Sequence, residues 1–326
     1  RLMKRQPFGF IIALVFAFFC LNATAANNTP APPDFAFPKK VSQQSEQKLK
    51  KALRAGDDIE ALRALTDFAL AQGSISEQNL PKALGMFSDI ASKLRSKAAT
   101  SVLCLLKATV YNEIYSDNKW VYDQRSLPLS PLPADYTEWS GAQFRNVISQ
   151  LCDSAMAAAP DLQRVPIGDY STLIVADAQT AVYFPTLFDF AACKTIELRC
   201  NLSEFSNCLS ILLLTPLKTF IGTPVYSPSA PEAAKILETY AQILRFHEND
   251  TAPLIYNDLA RLQFTCSNLY SSMSEKGTER YHQLLVDLYN KYSSSQYSGD
   301  ILLALSDDSY TISVVPYDDV SQQNQD

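Results

Sequence analysis

The feature that most constrains the fold of this chain is a series of helix-length amphipathic stretches that follow one another from about residue 40. In "DIEALRALTDFALAQG", the apolar residues Ile59, Leu62, Leu65 and Phe68 recur every three or four positions, the period of one helix face. Successive helices joined by short connections pack as antiparallel hairpins. The chain has only 9 glycines, which argues against all-β sandwiches and nucleotide-binding α/β folds.

The last third of the chain repeats a two-helix rhythm. Ser229, a candidate N-cap, stands two residues before Pro231, and Thr251 stands two residues before Pro253, each at the start of a helix-length stretch. Repeated helix starts of this kind are typical of stacked helical hairpins, although the full tetratricopeptide consensus is absent. We therefore predict an all-α fold of stacked antiparallel helical hairpins, a tetratricopeptide-like α-solenoid, over residues 39–305.

The N-terminus has the three parts of a signal peptide. A basic pair, "KR", precedes the apolar run "FGFIIALVFAFFCL" and the small-residue site "ATA". We predict that residues 1–25 are a cleaved signal peptide, that 26–38 form a proline-rich linker, and that the protein is exported. Lipidation at Cys20 is the alternative, but the bulky Phe19 before it does not fit a lipobox.

The charge of the chain disfavours two classes of partner. The formal net charge is −6, and loss of the three basic residues of the signal peptide leaves −9. A chain this acidic is repelled by phosphate backbones and anionic lipids. We expect no nucleic-acid partner and no membrane contact except through the signal peptide.

The six cysteines left after the signal peptide permit disulfides, but their spacing argues for few. Cys193 and Cys200 are too far apart on one helix to pair, whereas Cys200 and Cys208 could pair across a helix junction. No C-x-x-C pattern occurs, so a zinc or redox site has no support. The candidate disulfide is Cys200–Cys208, and we expect no metal or cofactor.

The catalytic motifs that sequence can reveal are missing. The chain has two histidines, His247 at a predicted helix end and His282 inside a predicted helix. G-x-S-x-G, H-E-x-x-H, P-loop and G-x-G-x-x-G patterns are absent. We predict a protein without catalytic residues. The competing hypothesis, a helical enzyme, requires the two histidines, Asp189 and Glu197 to meet in one cleft.

The stretch "YFPTLFDFAACKTIELRC" places an acid among aromatic rings. Pro185 fits the first turn of a helix, and Asp189 follows where the helix dipole favours a carboxylate. Lys194 and Arg199 come later, toward the end that favours cations. The pattern predicts that Asp189 anchors a helix start or its junction with a neighbour and performs no reaction.

Two other segments depart from the helical pattern. "KWVYDQRSLPLSPLPADY" holds three prolines and predicts a loop, after which helix resumes with Thr137 as candidate N-cap. Near the end, "SYTISVVPYDD" alternates as a β-strand does. We predict that residues 306–326 are a strand and tail that lead into a following β domain.

Several segments, taken in order, resemble a known family. "NLPKALGMFSDIASK", "YSDNKWVYDQR", "DYTEWSGAQFRNVISQL", "VPIGDYSTLI" and "YFPTLFDFAA" are similar, at compatible spacing, to the N-terminal helical region of bacterial alpha-2-macroglobulin-like proteins of the Bacteroidetes type. The resemblance covers roughly residues 40–300. Its motif positions here are Trp120, Arg125, Trp139, Pro185 and Asp189, which we expect to hold helix junctions.

The resemblance implies a very large exported protein in the periplasm or cell envelope of a Gram-negative bacterium. In the family, β-sandwich domains follow the helical region, and many members trap proteases with a Cys-x-Glu-Gln thioester, which this sequence lacks. The chain would then be a non-catalytic scaffold. Its partners would be downstream β-sandwich domains, proteases or envelope proteins. The alternative is a stand-alone tetratricopeptide-like module that binds a protein or a glycan.

Overall fold

The computed structural model describes residues 37–308, apart from 76–78, 175–177, 203–207, 226, 228 and 271–273. Within these residues the chain forms fourteen α-helices and no β-strand, which confirms the predicted all-α helical-hairpin class. The chain divides into two compact units, whose described parts are residues 37–202 and 208–308. The predicted signal peptide, most of the predicted linker and the predicted strand at the C-terminal end lie outside the described residues.

The described part of the first unit contains nine helices. They are α1 (Pro38–Ala55), α2 (Asp58–Ile75), α3 (Leu80–Ala91), α4 (Lys97–Asp117), α5 (Lys119–Asp123), α6 (Gly141–Met156), α7 (Ala159–Leu162), α8 (Ala178–Tyr183) and α9 (Leu187–Leu202). Short 3-10 turns occur at Tyr136–Glu138 and Ile167–Tyr170.

The first hairpin is α1 with α2. Gly56 ends α1 in the left-handed region with φ 73°, where a glycine is favoured because it has no Cβ. The chain then reverses within two residues. Gln72, near the end of α2, donates a hydrogen bond of 2.6 Å to Ser42, near the start of α1, so the two helices are antiparallel.

The centre of this unit is α4 packed on α6, with α9 against both. Ser101 at the start of α4 donates to the carbonyl of Ala155 at the end of α6, at 2.8 Å. At the other end, the rings of Tyr115 and Phe144 stack with centroids 5.7 Å apart. These two contacts make α4 and α6 a second antiparallel pair, although they are separated in sequence by a long connection.

The second unit contains α10 (Leu217–Gly222), α11 (Pro231–Phe246), α12 (Thr251–Ser267), α13 (Ser274–Tyr292) and α14 (Ser298–Asp307). The pairs α11/α12, α12/α13 and α13/α14 are in contact, as expected for consecutive hairpins. The predicted helical domain, 39–305, therefore comprises two compact units, and its last helix continues to Asp307.

The prediction that Ser229 caps α11 is wrong. Ala230 precedes the first residue, Pro231, and no side chain caps this end. The missing N–H of proline at the first position leaves one donor fewer to satisfy there.

Among the helices that the structure describes, none combines the length and apolar character needed to cross a lipid bilayer.

Candidate functional site

Three of the five motif positions lie in one segment, residues 118–140, which we call the α4–α6 loop. The sequence predicts loop from residue 119, but the structure first forms the short helix α5, which carries Trp120. A stretch with three prolines follows, where the missing N–H groups prevent regular helix. The loop then enters α6 through the 3-10 turn at Tyr136–Glu138.

An aromatic cluster lies beneath the loop. The ring of Phe144, fully buried on α6, lies 4.6 Å from that of Tyr122, 5.0 Å from that of Trp139 and 5.7 Å from that of Tyr115. Tyr111 is tilted against Trp139, with centroids 5.1 Å apart. Such ring pairs add to the stabilisation that area burial gives. The cluster joins α4, α5 and α6 at the base of the loop.

A charged network closes the same junction. Asp123 accepts hydrogen bonds from Tyr115 Oη at 2.9 Å and from Arg145 Nη1 at 2.7 Å, and Lys119 bonds its other oxygen. Burial by itself raises the pKa of the Asp123 carboxyl, but the hydrogen bonds from Lys119, Arg145 and Tyr115 outweigh it and lower that pKa. Asp123 is therefore ionised at neutral pH and links all three helices.

Side chains also brace the backbone of the loop. Trp139 Nε1 donates to the carbonyl of Pro133 at 2.8 Å, and Gln143 Nε2 donates to that of Pro128 at 2.8 Å. Arg125 Nη1 donates to the carbonyl of Trp139 at 3.0 Å and also to that of Thr137. Because these carbonyls bind fixed side chains, the loop is held in one path across the helices.

The predicted N-cap Thr137 is wrong by three residues. Ser140 caps α6, and Gln143 bonds back to the backbone N–H of Ser140 in a reciprocal capping box. Thr137 lies in the preceding 3-10 turn, where its N–H donates to Asp135. The S-x-x-Q pattern in the sequence is the signal that identifies the true cap.

The outer side of the α4–α6 loop carries exposed apolar side chains, which we call the loop surface. Trp120 is 69% exposed, and Leu127, Leu129 and Leu132 are 41%, 52% and 42% exposed. Trp139, the other motif tryptophan, is buried. Large apolar side chains grouped on a braced loop are characteristic of an interaction surface.

The other two motif positions lie at the start of α9. Thr186 donates from its backbone N–H at 2.9 Å and from its hydroxyl at 2.7 Å to Asp189 Oδ2. Pro185 stands before the helix and not in its first turn, contrary to the sequence prediction, because Thr186 occupies the capping position. The carbonyl of Pro185 accepts from the N–H of Ile167, which joins this helix start to the segment before α8.

We expect Asp189→Asn to lower the free energy of unfolding by about 1–2 kcal/mol. The carboxylate is buried, and an amide replaces one acceptor oxygen by a donor that faces the Thr186 donors. Chemical denaturation followed by circular dichroism measures the loss. Asp161→Asn, which removes only long pairs with the exposed cations Lys97 and Arg164, is the matched control and should change stability little. Equal stability of Asp189→Asn and the native chain would contradict this role.

The cysteines of the predicted disulfide are both thiols in the structure. Burial and the charge of Glu197 raise the pKa of Cys200 to about 11, and burial raises that of Cys208. The disulfide stays a prediction. Burial also raises the pKa of Cys193 to about 12 and that of Cys266 to about 11, so these sulfurs are protonated at neutral pH and are poor nucleophiles.

Both histidines have carboxylate neighbours that the sequence reading did not identify. His247, buried at the end of α11, lies 2.9 Å from Asp250, and His282 on α13 lies 2.8 Å from Asp308. The first partner follows three residues later, a local signal; the second is twenty-six residues away. Of the other residues in the enzyme hypothesis, Glu197 accepts from Lys194 at 2.8 Å, and Asp189 binds Thr186.

Within the described residues, no group of three or more His, Cys, Asp and Glu side chains is arranged to hold a metal ion.

Comparisons of the chain with protein-family models, with curated proteins and with solved structures give no match. The resemblance to alpha-2-macroglobulin-like proteins therefore stays a prediction that depends on the ordered sequence segments.

Proposed function

We propose that this chain is a non-catalytic helical scaffold and interaction module of an exported alpha-2-macroglobulin-like protein, and that the loop surface binds a β-sandwich domain of the same polypeptide. The observation that carries the proposal is the contrast within one loop. Trp139 is buried and its indole N–H is bonded, whereas Trp120 points its apolar area outward with three leucines.

The bracing of the loop supports a binding role. An exposed loop with mobile apolar side chains loses conformational entropy when a partner orders it. Here the contacts of Gln143, Arg125 and Trp139 already fix the backbone from which Leu129 and Leu132 project. Folding of the chain has already fixed the backbone of the loop, so little conformational entropy is lost when a partner binds. Burial of the apolar area of the loop can then stabilise the complex.

The environment of the reactive side chains supports a non-catalytic role. A cysteine nucleophile requires a lowered pKa, and Cys193 and Cys266 have raised values through burial. Asp189 is a buried helix-start acceptor with a structural partner.

The gene supplies the first test of the family assignment. Coding sequence for β-sandwich domains is expected after Asp326. A stop codon directly after this position would make the assignment wrong, and the stand-alone binding module would replace it.

Trp120→Ala is expected to lower the affinity for the partner domain at least about tenfold. The free energy of unfolding of the helical chain is expected to change by less than about 0.5 kcal/mol. Binding of the isolated helical chain to the isolated β-sandwich region, measured by calorimetry, gives the first quantity, and denaturation gives the second. Val182→Ala is the control, since Val182 is an exposed apolar residue outside the loop. Equal binding by Trp120→Ala and the native chain would place the partner elsewhere.

The exposed indole also favours the alternative function, a module that binds a glycan, because sugar faces stack on tryptophan. A glycan array probed with the native chain and with Trp120→Ala separates the two functions. Glycan binding that disappears in the variant, without binding to a β-sandwich domain, would support the alternative.

A further inference from the structure

A second surface feature, distant in sequence from the α4–α6 loop, is a cavity of about 240 Å³ on the α1/α2 hairpin. Its lining combines a ring, an aliphatic side chain and both signs of charge: Phe37, Lys40, Val41, Gln44, Ser45, Lys48 and Asp67. All but Asp67 belong to one face of α1 and the residue before it, since their spacing is three or four. The cavity is therefore a property of the first hairpin.

The charged side chains that line this cavity are not held in close ion pairs within the described residues. Ser45 also lines the cavity and is only 3% exposed as a residue. Lys40, Lys48 and Asp67 form no ion pair within the described part of the chain. By contrast, Lys50 on the same helix is paired with Glu46 at 2.7 Å.

The carboxyl of Asp67 is half-buried near two cations, Arg63 and Lys48. Burial raises its pKa, and the charges of Arg63 and Lys48 reduce this effect without cancelling it. An added cationic donor beside this carboxyl would stabilise its charged form. The positive charges of the two lysines attract an anion. The lining therefore offers sites for both charges of a single small molecule.

We propose that this cavity binds a small zwitterion, an α-amino acid with an apolar side chain. Its ammonium group binds Asp67, and its carboxylate binds the two lysines and accepts from the Ser45 hydroxyl. Its side chain lies against Phe37 and Val41. A simple anion would leave Asp67 beside a second negative charge, and a simple amine would leave both lysines without an acceptor.

The volume supports this class of ligand. A cavity of about 240 Å³ is below the range of about 300–1,000 Å³ typical of sites for drug-sized molecules. A free amino acid is small enough, and it carries the two charges close together, as the lining requires.

Three matched probes test the proposal on the complete chain: phenylalanine, 3-phenylpropionate and phenethylamine. They share the ring and differ in which charged groups they carry. Each charge-assisted contact contributes about a factor of ten in affinity, so phenylalanine should bind at least about tenfold more tightly than either single-charge probe. Ligand-observed NMR or calorimetry measures the three dissociation constants.

Variants assign each contact. Asp67→Asn should weaken phenylalanine binding about tenfold and leave 3-phenylpropionate binding unchanged or stronger. Combined Lys40→Gln and Lys48→Gln should weaken phenylalanine and 3-phenylpropionate and spare phenethylamine. Lys39→Gln is the matched control, since Lys39 is an exposed lysine of the same helix outside the cavity lining.

Circular dichroism melting shows that each variant is folded before binding is compared. Equal affinity for the three probes, absence of phenylalanine binding to the folded native chain, or unchanged phenylalanine binding in folded Asp67→Asn would each overturn the proposal.

Discussion

Arg261→Met is expected to lower the free energy of unfolding of the 208–308 unit by about 3–5 kcal/mol. Arg261 is fully buried, and its Nε donates to Asp258 Oδ1 at 2.6 Å. Its Nη1 donates to the carbonyl of Thr215 at 2.8 Å, and the guanidinium lies 4.4 Å from the ring centre of Phe220. Methionine keeps most of the volume but leaves the Asp258 carboxylate buried without its cation. Denaturant titration of the native chain and the variant measures the loss.

The double variant Asp258→Leu with Arg261→Met is the control for this prediction. A buried ion pair replaced on both sides by apolar groups is often neutral, so the double variant should recover much of the stability lost in the single one. If both variants lose the same amount, packing and the Thr215 contact, rather than the unpaired charge, cause the loss.

The stability lost in Arg261→Met should depend on pH. Burial raises the pKa of Asp258 even with Arg261 beside it, and removal of Arg261 raises it further. A carboxyl whose folded pKa exceeds its unfolded value stabilises the fold at low pH and loses this contribution as pH rises through the folded pKa. Arg261→Met should therefore be less destabilised near pH 4 than near pH 7.

Phe144→Ala is expected to destabilise the 37–202 unit by about 3–5 kcal/mol. The ring is fully buried and contacts the rings of Tyr115, Tyr122 and Trp139, so truncation opens a cavity at the junction of three helices. The α4–α6 loop loses the base that holds it. Urea denaturation gives the loss, and near-ultraviolet circular dichroism reports whether the aromatic cluster stays ordered.

Phe144→Leu is the matched variant, because it keeps an apolar side chain of intermediate size. It should lower the free energy of unfolding less than Phe144→Ala does. A cost for Phe144→Ala below about 1 kcal/mol, with an unchanged near-ultraviolet spectrum, would mean that the loop is held mainly by the Asp123 network and the backbone hydrogen bonds.

Local patterns in the chain were sufficient to predict the long helices, but not the short helix α5. The helix class follows from apolar spacing in α2, and the hairpin of α1 and α2 from the short connection at Gly56. The acid at Asp189 is placed at a helix start because its partner, Thr186, lies three residues before it. At the start of α6, Ser140 with Gln143 forms a stronger local cap than Thr137, so the helix begins three residues later than predicted.

The candidate sites depend on contacts that no local pattern contains. Tyr115 and Arg145 meet Asp123 from helices thirty positions apart in sequence, and Arg261 reaches the carbonyl of Thr215 across forty-six positions. The cavity at Lys40 also needs Asp67 from the second helix.

By itself, the sequence determined that this chain is helical and where most of its helices lie. These properties depend on backbone hydrogen bonds and side-chain periods within a few residues. Only the tertiary structure decided that Trp139 is buried while Trp120 is exposed, and that Asp67 of α2 lines the same cavity as Lys40 and Ser45 of α1. Burial and pairing depend on which helix faces are brought together, and residues distant in the sequence supply those faces.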